Sequence, residues 1–216
     1  MIKDQFSHVD TWVFDLDNTL YPPQMRLFDQ IEERMTAWVS RRLGVSRAEA
    51  DHLRATYWSL YGTTLAGLMQ EHGIEPMDYL MDVHDIDFSP LLPDAELASR
   101  IAALPGRRIV YTNADSVYAA KVLSARGFDG LFHAVYGVEH ADFLPKPERK
   151  AFETVFAKDG VDPARAAMFE DDARNLAAPH DMGMRTVHIA PEPVPAPHIH
   201  FHDTNLSDFL GKLTKR

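Results

Sequence analysis

Two patterns of apolar and polar residues alternate along this chain, and the first is a short strand pattern. Residues 12–14, Trp-Val-Phe, form an aromatic and β-branched run that is typical of a buried strand. The run changes abruptly into residues 15–19, Asp-Leu-Asp-Asn-Thr, which are mainly acidic or small and polar. The sequence therefore predicts a strand with carboxylates at its carboxyl end, the edge at which open α/β sheets hold their ligands.

A helical pattern occupies the next part of the chain. Apolar residues recur at three- and four-residue steps over residues 25–43, which predicts an amphipathic helix. Ser46 and Glu49 have the spacing of a capping box and mark the start of a second helix. A third helix is predicted to end at Gly73 and a fourth to begin at Pro76, since proline is favoured at the first helical position. No strand pattern interrupts these helices, so we expect an inserted helical unit.

Strand and helix patterns alternate from residue 90 onward, as they do in βαβ units. We therefore expect an α/β fold, in which a Rossmann-like parallel sheet is flanked by helices and carries an inserted all-helical cap domain. Residues 1–20 and 90–216 are expected to form the core domain, and residues 21–89 the cap. The strands predicted in the second part of the core are residues 108–111, 133–138, 166–169 and 185–189.

Composition and charge exclude several classes of function. Lys and Arg total 22 against 32 for Asp and Glu, and the resulting net charge of −10 disfavours binding to nucleic acids or anionic membranes. The absence of cysteine excludes disulfides, thiolate catalysis and cysteine-ligated zinc. Residues 1–10 lack the apolar centre of a secretion signal and no run approaches a membrane-spanning length, so we expect a cytoplasmic protein. The oligomeric state stays open.

Four polar clusters follow predicted strands, three of them directly and one in a later loop. Because the carboxyl ends of parallel strands share one edge of the sheet, we expect all four clusters to converge there. Each cluster alone has an ordinary explanation, such as a helix cap, a turn or a solvated lysine, but their shared position favours a site. The clusters are Asp15 with Asp17, Thr112 with Asn113, Lys146, and Asp171 with its acidic neighbours.

The chemistry that these residue types can perform together is phosphoryl transfer. Asp15 can attack phosphorus as a carboxylate nucleophile and form an aspartyl-phosphate. Asp17 can protonate the leaving oxygen and later accept a proton from the attacking water. Thr112 and Asn113 can donate hydrogen bonds to phosphoryl oxygens, while Lys146 places positive charge where negative charge builds up.

The acidic residues also predict a metal site. Two carboxylates as close as those of Asp15 and Asp17 raise each other's pKa unless a cation compensates. Asp171, the Asp15 carboxylate and the backbone carbonyl of Asp17 would form an all-oxygen set, which suits Mg²⁺ better than a softer ion. We therefore expect Mg²⁺ as the cofactor, placed where it can hold the phosphate.

In their order along the chain, these clusters resemble motifs one to four of the haloacid dehalogenase superfamily. The resemblance covers residues 7–20 and 90–190, and the helical insertion after the first motif resembles the superfamily's smaller helical cap. The fold and a hydrolytic activity on a small phosphorylated metabolite are what this resemblance implies. The implied roles are nucleophile for Asp15, acid and base for Asp17, phosphate-binding hydroxyl for Thr112, charge-stabilising lysine for Lys146 and metal ligand for Asp171.

The fourth cluster departs from the family pattern. Residues 170–172 read Glu-Asp-Asp, so the resemblance leaves open which carboxylate touches the metal directly. Asp171 is the first expectation, and Asp172 or Glu170 could share the task.

A narrower resemblance concerns the substrate. Residues 15–22, Asp-Leu-Asp-Asn-Thr-Leu-Tyr-Pro, and residues 61–68, Tyr-Gly-Thr-Thr-Leu-Ala-Gly-Leu, are similar to the pyrimidine 5′-nucleotidase branch of the superfamily. This similarity implies hydrolysis of the phosphate of uridine and cytidine monophosphates. A base needs an apolar wall and polar groups at its edge, and the candidates for these are Tyr21, Phe28, Tyr61 and Thr64.

Other functions stay open at this point. A phosphatase for other small esters, such as phosphoglycolate or sugar phosphates, is the main alternative to a nucleotidase. A mutase would isomerise a sugar phosphate instead of releasing phosphate. A dehalogenase is disfavoured because halide displacement does not need the acid and base group that Asp17 supplies. In a binding module without activity, the acidic edge would only hold a cation.

Two further groups of residues have simpler explanations. The cap aromatics Trp38, Tyr57, Trp58 and Tyr61 have helical spacing, which favours a packed helix interface over a ligand site. Residues 198–202, His-Ile-His-Phe-His, could place three histidines on one face of a strand and hold a metal. We favour an edge strand with residues 199 and 201 facing inward and the histidines outward.

Overall fold

The computed structural model describes residues 2–214, which form six strands and nine α-helices. The strands are β1 (Thr11–Phe14), β2 (Arg107–Tyr111), β3 (Ala134–Tyr136), β4 (Ala166–Glu170), β5 (Arg185–Ile189) and β6 (Phe201–Asp203). The helices before β2 are α1 (Leu27–Leu43), α2 (Arg47–Tyr61), α3 (Thr64–His72), α4 (Pro76–Val83) and α5 (Ala95–Ala102). The later helices are α6 (Ser116–Ala125), α7 (Arg149–Asp159), α8 (Ala177–Asp181) and α9 (Leu206–Thr214).

The six strands form one parallel sheet in the order β3-β2-β1-β4-β5-β6. β1 lies between β2 and β4, and Phe14 at its end pairs with Val110 on one side and Phe169 on the other. After β3 the chain crosses to the other side of β1, so β1 borders the point where the strand order reverses. Ligands bind outside the carboxyl ends of strands at such a point. The predicted α/β fold with a Rossmann-like parallel sheet is confirmed.

Both faces of the sheet are covered by helices, which explains why the central strands are almost continuously apolar. Trp12 and Phe14 face one core cluster, and Val13 between them faces the other. The rings of Phe14 and Phe169 stack with centroids 4.8 Å apart, which joins β1 to β4. The start and end of β1 are therefore held firmly, and so is the position of the residue that follows it.

Of the five α-helices between β1 and β2, the first four, α1 to α4, form the segment that we call the cap helices. The hydroxyl of Ser46 accepts a hydrogen bond from the Glu49 N–H, which caps α2 as the sequence predicts. Trp38 of α1 packs edge-to-face on Tyr79 of α4, with ring centroids 5.0 Å apart, and both residues belong to the hydrophobic cluster that covers one face of the sheet. The division into a core and a cap at residues 20 and 90 stays a prediction. Among residues 2–214, no helix is both long and apolar enough to cross a bilayer.

Two predicted strands are shorter in the structure. The third strand has three residues, because the chain enters a 3-10 turn at Val138–Ala141. The histidine-rich segment contributes only Phe201–Asp203 to the sheet, as the edge strand β6. Ile199 and Phe201 are both partly buried, but they pack against different core clusters. The prediction that these two residues share one inward face is therefore wrong, since Ile199 precedes the strand.

Candidate active site

The ends of four neighbouring strands meet at one cavity of about 1340 Å³. Asp15 follows β1, Thr112 follows β2, and Asp171 follows β4. Lys146 lies in the loop after β3, and all four residues line the cavity. The sheet order brings them together, because the strands that precede them are adjacent and parallel.

Lys146 lies at the centre of this arrangement and is buried, with 1% of its surface exposed. Its Nζ donates to Asp15 Oδ1 at 2.7 Å, to Glu170 Oε2 at 2.6 Å and to the Tyr111 carbonyl oxygen at 3.2 Å. Burial by itself would lower the pKa of the Lys146 ammonium, but the charges of Asp15 and Glu170 raise it above its ordinary value. Lys146 therefore carries its positive charge at neutral pH, next to the side chain expected to be the nucleophile.

Asp15, Glu170 and Asp171 form an acidic cluster, with one carboxylate oxygen of each within 4.8 Å of the others. Burial raises the pKa of Asp15 to about 7, and the charge of Glu170 raises it while that of Lys146 lowers it. Burial and the charges of Glu170 and Asp15 also raise the pKa of Asp171 well above its ordinary value. One lysine does not compensate these three carboxylates, of which Asp15 and Glu170 are buried and Asp171 is partly buried. The cluster fits a hard divalent cation bound by oxygen ligands, such as Mg²⁺.

Asp17 is held by two tyrosine hydroxyl groups. Its Oδ1 accepts from Tyr21 Oη at 2.6 Å and from Tyr118 Oη at 2.7 Å. Burial raises the pKa of Asp17, the charge of Asp15 raises it further, and the two hydroxyls oppose that rise. Asn18, which follows, has a φ of 58°, a conformation that asparagine tolerates better than most residues. The chain thus turns away directly after the second aspartate.

A contact between the cap and the core lies behind Asp17. His84 follows α4, and its Nδ1 is 2.5 Å from Oδ2 of Asp115, the residue that caps α6. The His84 ring also stacks on Tyr118, with centroids 4.3 Å apart. Tyr118 therefore touches both the end of the cap helices and the carboxylate of Asp17, so the cap contributes to the position of that carboxylate.

Thr112 and Asn113 have different roles in the structure. The Thr112 hydroxyl oxygen accepts from the Ala114 N–H at 3.0 Å, which leaves its proton able to donate into the cavity. Asn113 pairs with the main chain of Lys146: its Nδ2 donates to the carbonyl at 3.0 Å, and its Oδ1 accepts from the N–H at 2.7 Å. The Asn113 side chain fixes the lysine loop, a role that the sequence did not indicate.

The three acidic residues at and after the end of β4 make different contacts. Glu170 accepts from Lys146 through one oxygen and from the Asp172 N–H through the other, at 3.2 Å. The Asp172 carboxylate accepts from the Arg174 guanidinium, with its shortest contact at 2.7 Å. Asp171 is the member of the three that joins the cluster while making neither of these contacts. This arrangement fits Asp171 as the main metal ligand, with Glu170 next to it and Asp172 paired with Arg174 instead.

Three histidines near this loop bind backbone carbonyl oxygens. The Nε2 atoms of His188, His198 and His202 lie 2.9 Å from the carbonyls of Asp171, Ala173 and Ala190, respectively. Because a carbonyl oxygen only accepts, each Nε2 carries a proton, as in a neutral or protonated ring. Within residues 2–214 these histidines form no metal cluster. They tie down the loops after β4 and β5 instead.

A family model for haloacid dehalogenase-like hydrolases matches residues 9–183, which is most of the chain and includes Asp15, Thr112, Lys146 and Asp171. The chain belongs to this family. Members of this family are hydrolases by its description.

The individual relatives described here share less than 30% sequence identity with this chain. Phosphate metabolism protein 8 of Saccharomyces cerevisiae is 27% identical over 190 residues, which cover 79% of this chain, and the chain spans 58% of that relative's length. A HAD phosphatase from Thermococcus onnurineus has a similar structure, with a TM-score of 0.65, 17% identity, and coverage of 95% of this chain and 98% of that one. The HAD-hydrolase YfnB from Bacillus subtilis, solved with magnesium bound, has a TM-score of 0.62 and 16% identity over 96% and 99% of the two chains. At these identities the structures show the fold alone.

The cap side of the cavity differs from the sequence prediction. Phe28, 37% exposed, and Thr64 line the cavity, whereas Tyr21 and Tyr61 do not. Tyr21 is buried behind Asp17, and the Tyr61 hydroxyl donates to Glu71 on the outside of the cap helices. The prediction that Tyr21 and Tyr61 form part of a base-binding wall therefore needs correction, because neither residue lines this cavity.

Trp58 is the main residue that sequence reasoning assigned wrongly. It is 51% exposed and lines the cavity of this hydrolase, whereas Trp38 and Tyr57 are buried as the helical spacing predicts. Arg174 lies over its indole ring, with the guanidinium carbon 3.5 Å from the ring centroid. A signal was available, because Trp58 shares its helix face with Asp51 and Arg54, at steps of seven and four residues, and such a charged face does not belong in a packed interface.

Proposed function

We propose that this hydrolase is a Mg²⁺-dependent phosphatase that cleaves small phosphate monoesters through an aspartyl-phosphate on Asp15. The observation that carries the proposal is the arrangement around one carboxylate. Lys146 Nζ lies 2.7 Å from Asp15 Oδ1, and Asp17 is held two residues away by two hydroxyl groups. A nucleophile, a fixed cation and a separate proton carrier are what phosphoryl transfer requires.

In the first half-reaction, an oxygen of Asp15 forms a bond to phosphorus as the ester P–O bond breaks. The pKa of Asp17 is raised by burial, so this carboxyl can hold a proton and give it to the departing oxygen. In the second half-reaction a water molecule attacks phosphorus, Asp17 takes its proton, and the bond to Asp15 breaks. Inorganic phosphate leaves and both side chains return to their first states.

The remaining residues position charge around the phosphate. The Thr112 hydroxyl can donate to one phosphoryl oxygen, and Lys146 faces the charge that develops on another. The Asp15, Asp171 and Glu170 cluster would hold Mg²⁺, which neutralises phosphoryl charge when it is bound. Asn113 acts through the main chain of Lys146.

A phosphatase is favoured over a dehalogenase by Asp17. Halide displacement produces a leaving group that needs no proton, so neither an acid with two donor hydroxyls nor a metal cluster would be required. Dehalogenases share this fold among the solved structures, and that similarity concerns the fold alone.

For the substrate we propose a pyrimidine nucleoside 5′-monophosphate, with other small phosphate esters as the alternative. Support comes from the cavity, whose volume of about 1340 Å³ exceeds the need of a phosphate alone and whose cap side presents Phe28, Trp58 and Thr64. The proposal places the reaction in the cytoplasm on a small metabolite. The net charge of −10 disfavours a nucleic acid as the substrate.

The test is release of inorganic phosphate from a panel of nucleotides, sugar phosphates and phosphoglycolate, with Mg²⁺ and with a chelator. We expect UMP and CMP to be hydrolysed, chelation to stop turnover, and Asp15→Asn to lower kcat by at least roughly a thousandfold. Asp129→Asn, at an exposed residue outside the cavity, is the control. Full activity of Asp15→Asn would exclude the mechanism, and a preference for sugar phosphates would favour the alternative substrate class.

A further inference from the structure

Negative side chains outnumber positive ones around the cavity. Within residues 2–214, eight carboxylates and three Lys or Arg side chains line it. A bound divalent cation would offset two negative charges and still leave an excess. A substrate phosphate can be held by the metal and Lys146, so the excess acts on the other end of the substrate.

Each of the three cationic side chains already has carboxylate partners. Lys146 contacts Asp15 and Glu170, and the Arg174 guanidinium binds both oxygens of Asp172. A second anionic group of a ligand would therefore have to compete with these carboxylates for either cation.

Arg54 is the cation on the cap side, and it is paired as well. Its Nη2 lies 3.3 Å from Glu32 of α1, and its Nη1 lies 3.3 Å from Asp51 of α2. Nη1 also donates to the Thr36 hydroxyl at 2.6 Å. The Arg54 side chain is only 15% exposed, whereas Glu32 is 53% and Asp51 59% exposed. A ligand in the cavity would therefore contact the two exposed carboxylates before it could reach the guanidinium that they cover.

From this charge pattern we infer that the cavity selects phosphate monoesters whose leaving group carries no negative charge, and that Glu32 and Asp51 enforce the selection. The inference rests on the proposed function and narrows its substrate class. A nucleoside or polyol leaving group satisfies it, whereas a carboxylate or second phosphate would face Glu32 and Asp51 with no unpaired cation among the residues that the structure describes. We expect repulsion between like charges in a partly desolvated site to cost roughly tenfold in binding.

The test compares two esters of similar size. 2-Hydroxyethyl phosphate ends in a neutral hydroxymethyl group, whereas 2-phosphoglycolate ends in a carboxylate. We expect the wild-type protein to have a kcat/KM roughly tenfold higher for the neutral leaving group. The double variant Glu32→Gln/Asp51→Asn exposes Arg54 and should reduce that preference by roughly threefold or more, mainly through a lower KM for phosphoglycolate.

The matched control is Glu33→Gln/Asp78→Asn. It removes one carboxylate from α1 and one from α4, both at exposed positions that do not line the cavity, and should keep the wild-type preference. Glu32→Gln alone is a milder variant that breaks one pair and should give an intermediate preference. Equal or faster wild-type turnover of phosphoglycolate would overturn the inference, and so would equal behaviour of the cavity and control variants.

Failure of the proposed function gives a different result. If no ester is hydrolysed, the phosphatase assignment is wrong, and the selection is then measured as binding of both esters to the Asp15→Asn protein by calorimetry. Tighter binding of the neutral ester, lost in the Glu32→Gln/Asp51→Asn background, supports the inference. Equal affinity for the two esters overturns it.

Discussion

The guanidinium carbon of Arg174 lies 3.5 Å from the centre of the Trp58 ring, and this contact joins the segment after β4 to the cap helix α2. The Arg174 guanidinium also binds Asp172, which lies two residues after Glu170, a contact of Lys146. A cation above an indole is attracted by the ring's negative face. Trp58 on the cap side of the cavity is thus connected, through Arg174 and Asp172, to the segment that carries Asp171.

Trp58→Ala should affect substrates according to the size of their leaving group. The variant removes an aromatic surface on which a base can stack, so we expect the KM for UMP to rise by roughly three- to tenfold. Turnover of acetyl phosphate, whose acetyl group has no ring to stack on the indole, should change by less than about twofold. Steady-state kinetics on both substrates measure this.

The control for that change is Leu60→Ala, on the same helix at a position that is 68% exposed and outside the cavity. It should leave both KM values unchanged. An equal loss on UMP and acetyl phosphate in Trp58→Ala would show that Trp58 supports the cap rather than the substrate.

Removing either hydroxyl that donates to Asp17 should move the pH profile upward. Tyr21 and Tyr118 both lower the pKa of this carboxyl, so Tyr21→Phe or Tyr118→Phe raises it. A raised pKa shifts the pH at which Asp17 can act as a base, and the pH at which it stops acting as an acid, in the same alkaline direction. The pH dependence of kcat measures the shift.

Tyr136→Phe serves as the control, because its hydroxyl donates to Asp159, away from the cavity. It should keep the wild-type profile. A Tyr118→Phe profile that coincides with the wild-type one would contradict the role of Asp17 as the proton carrier.

Stabilisation by Mg²⁺ should increase with pH. The pKa of Asp15 is raised from 3.8 to about 7, so between these values the folded protein without metal retains a proton that the unfolded chain has lost. This group therefore lowers the free energy of unfolding as pH rises from about 4 to about 7, and a bound cation reverses the effect by favouring the carboxylate. We expect the Mg²⁺-induced rise in Tm to be larger at about pH 8 than at about pH 5.5.

Differential scanning calorimetry with and without Mg²⁺ measures the Mg²⁺-induced rise in Tm at each of the two pH values. Asp15→Asn removes the titrating group and should flatten their dependence on pH. A Mg²⁺-induced rise in Tm that is larger at the lower pH would contradict the assignment of Asp15 to the metal cluster.

Lys146→Met should destabilise the fold as well as stop catalysis. It leaves Asp15 and Glu170 buried without their shared cation, and breaking a buried ion pair from one side typically costs about 3–5 kcal/mol. Urea unfolding measures the loss. Adding Glu170→Gln removes one of the stranded charges and should recover part of the stability without restoring turnover, whereas further destabilisation would contradict this explanation.

Strand ends were the part of the site that the sequence predicted best. An apolar run that stops at a carboxylate or hydroxyl identifies both a buried strand and its functional edge, so Asp15, Thr112 and Asp171 could be placed together without coordinates. Glycine, proline and capping residues likewise predicted the limits of the cap helices, because those signals are local.

Side-chain partners were less predictable. The sequence contains Asn113 and Lys146, but their reciprocal main-chain pairing depends on how a loop folds across the end of β2. Trp58 and Arg174 come from elements far apart in the chain, and helical periodicity gives a face without saying which surface that face meets. The burial of Tyr21 behind Asp17 depends on the same kind of long-range packing.

The strand order determines when, during synthesis, the residues of the candidate active site can come together. Asp15, the proposed nucleophile, follows the first strand, and Asp171 follows β4, a segment that is made much later, while β1 pairs directly with β4. Parallel pairing over such a separation in sequence forms slowly, because the intervening chain must be ordered first. During synthesis, a ribosome-bound fragment that ends before residue 166 would carry Asp15 and Lys146 yet lack the neighbour of β1, so chemistry should begin only after that stretch has emerged.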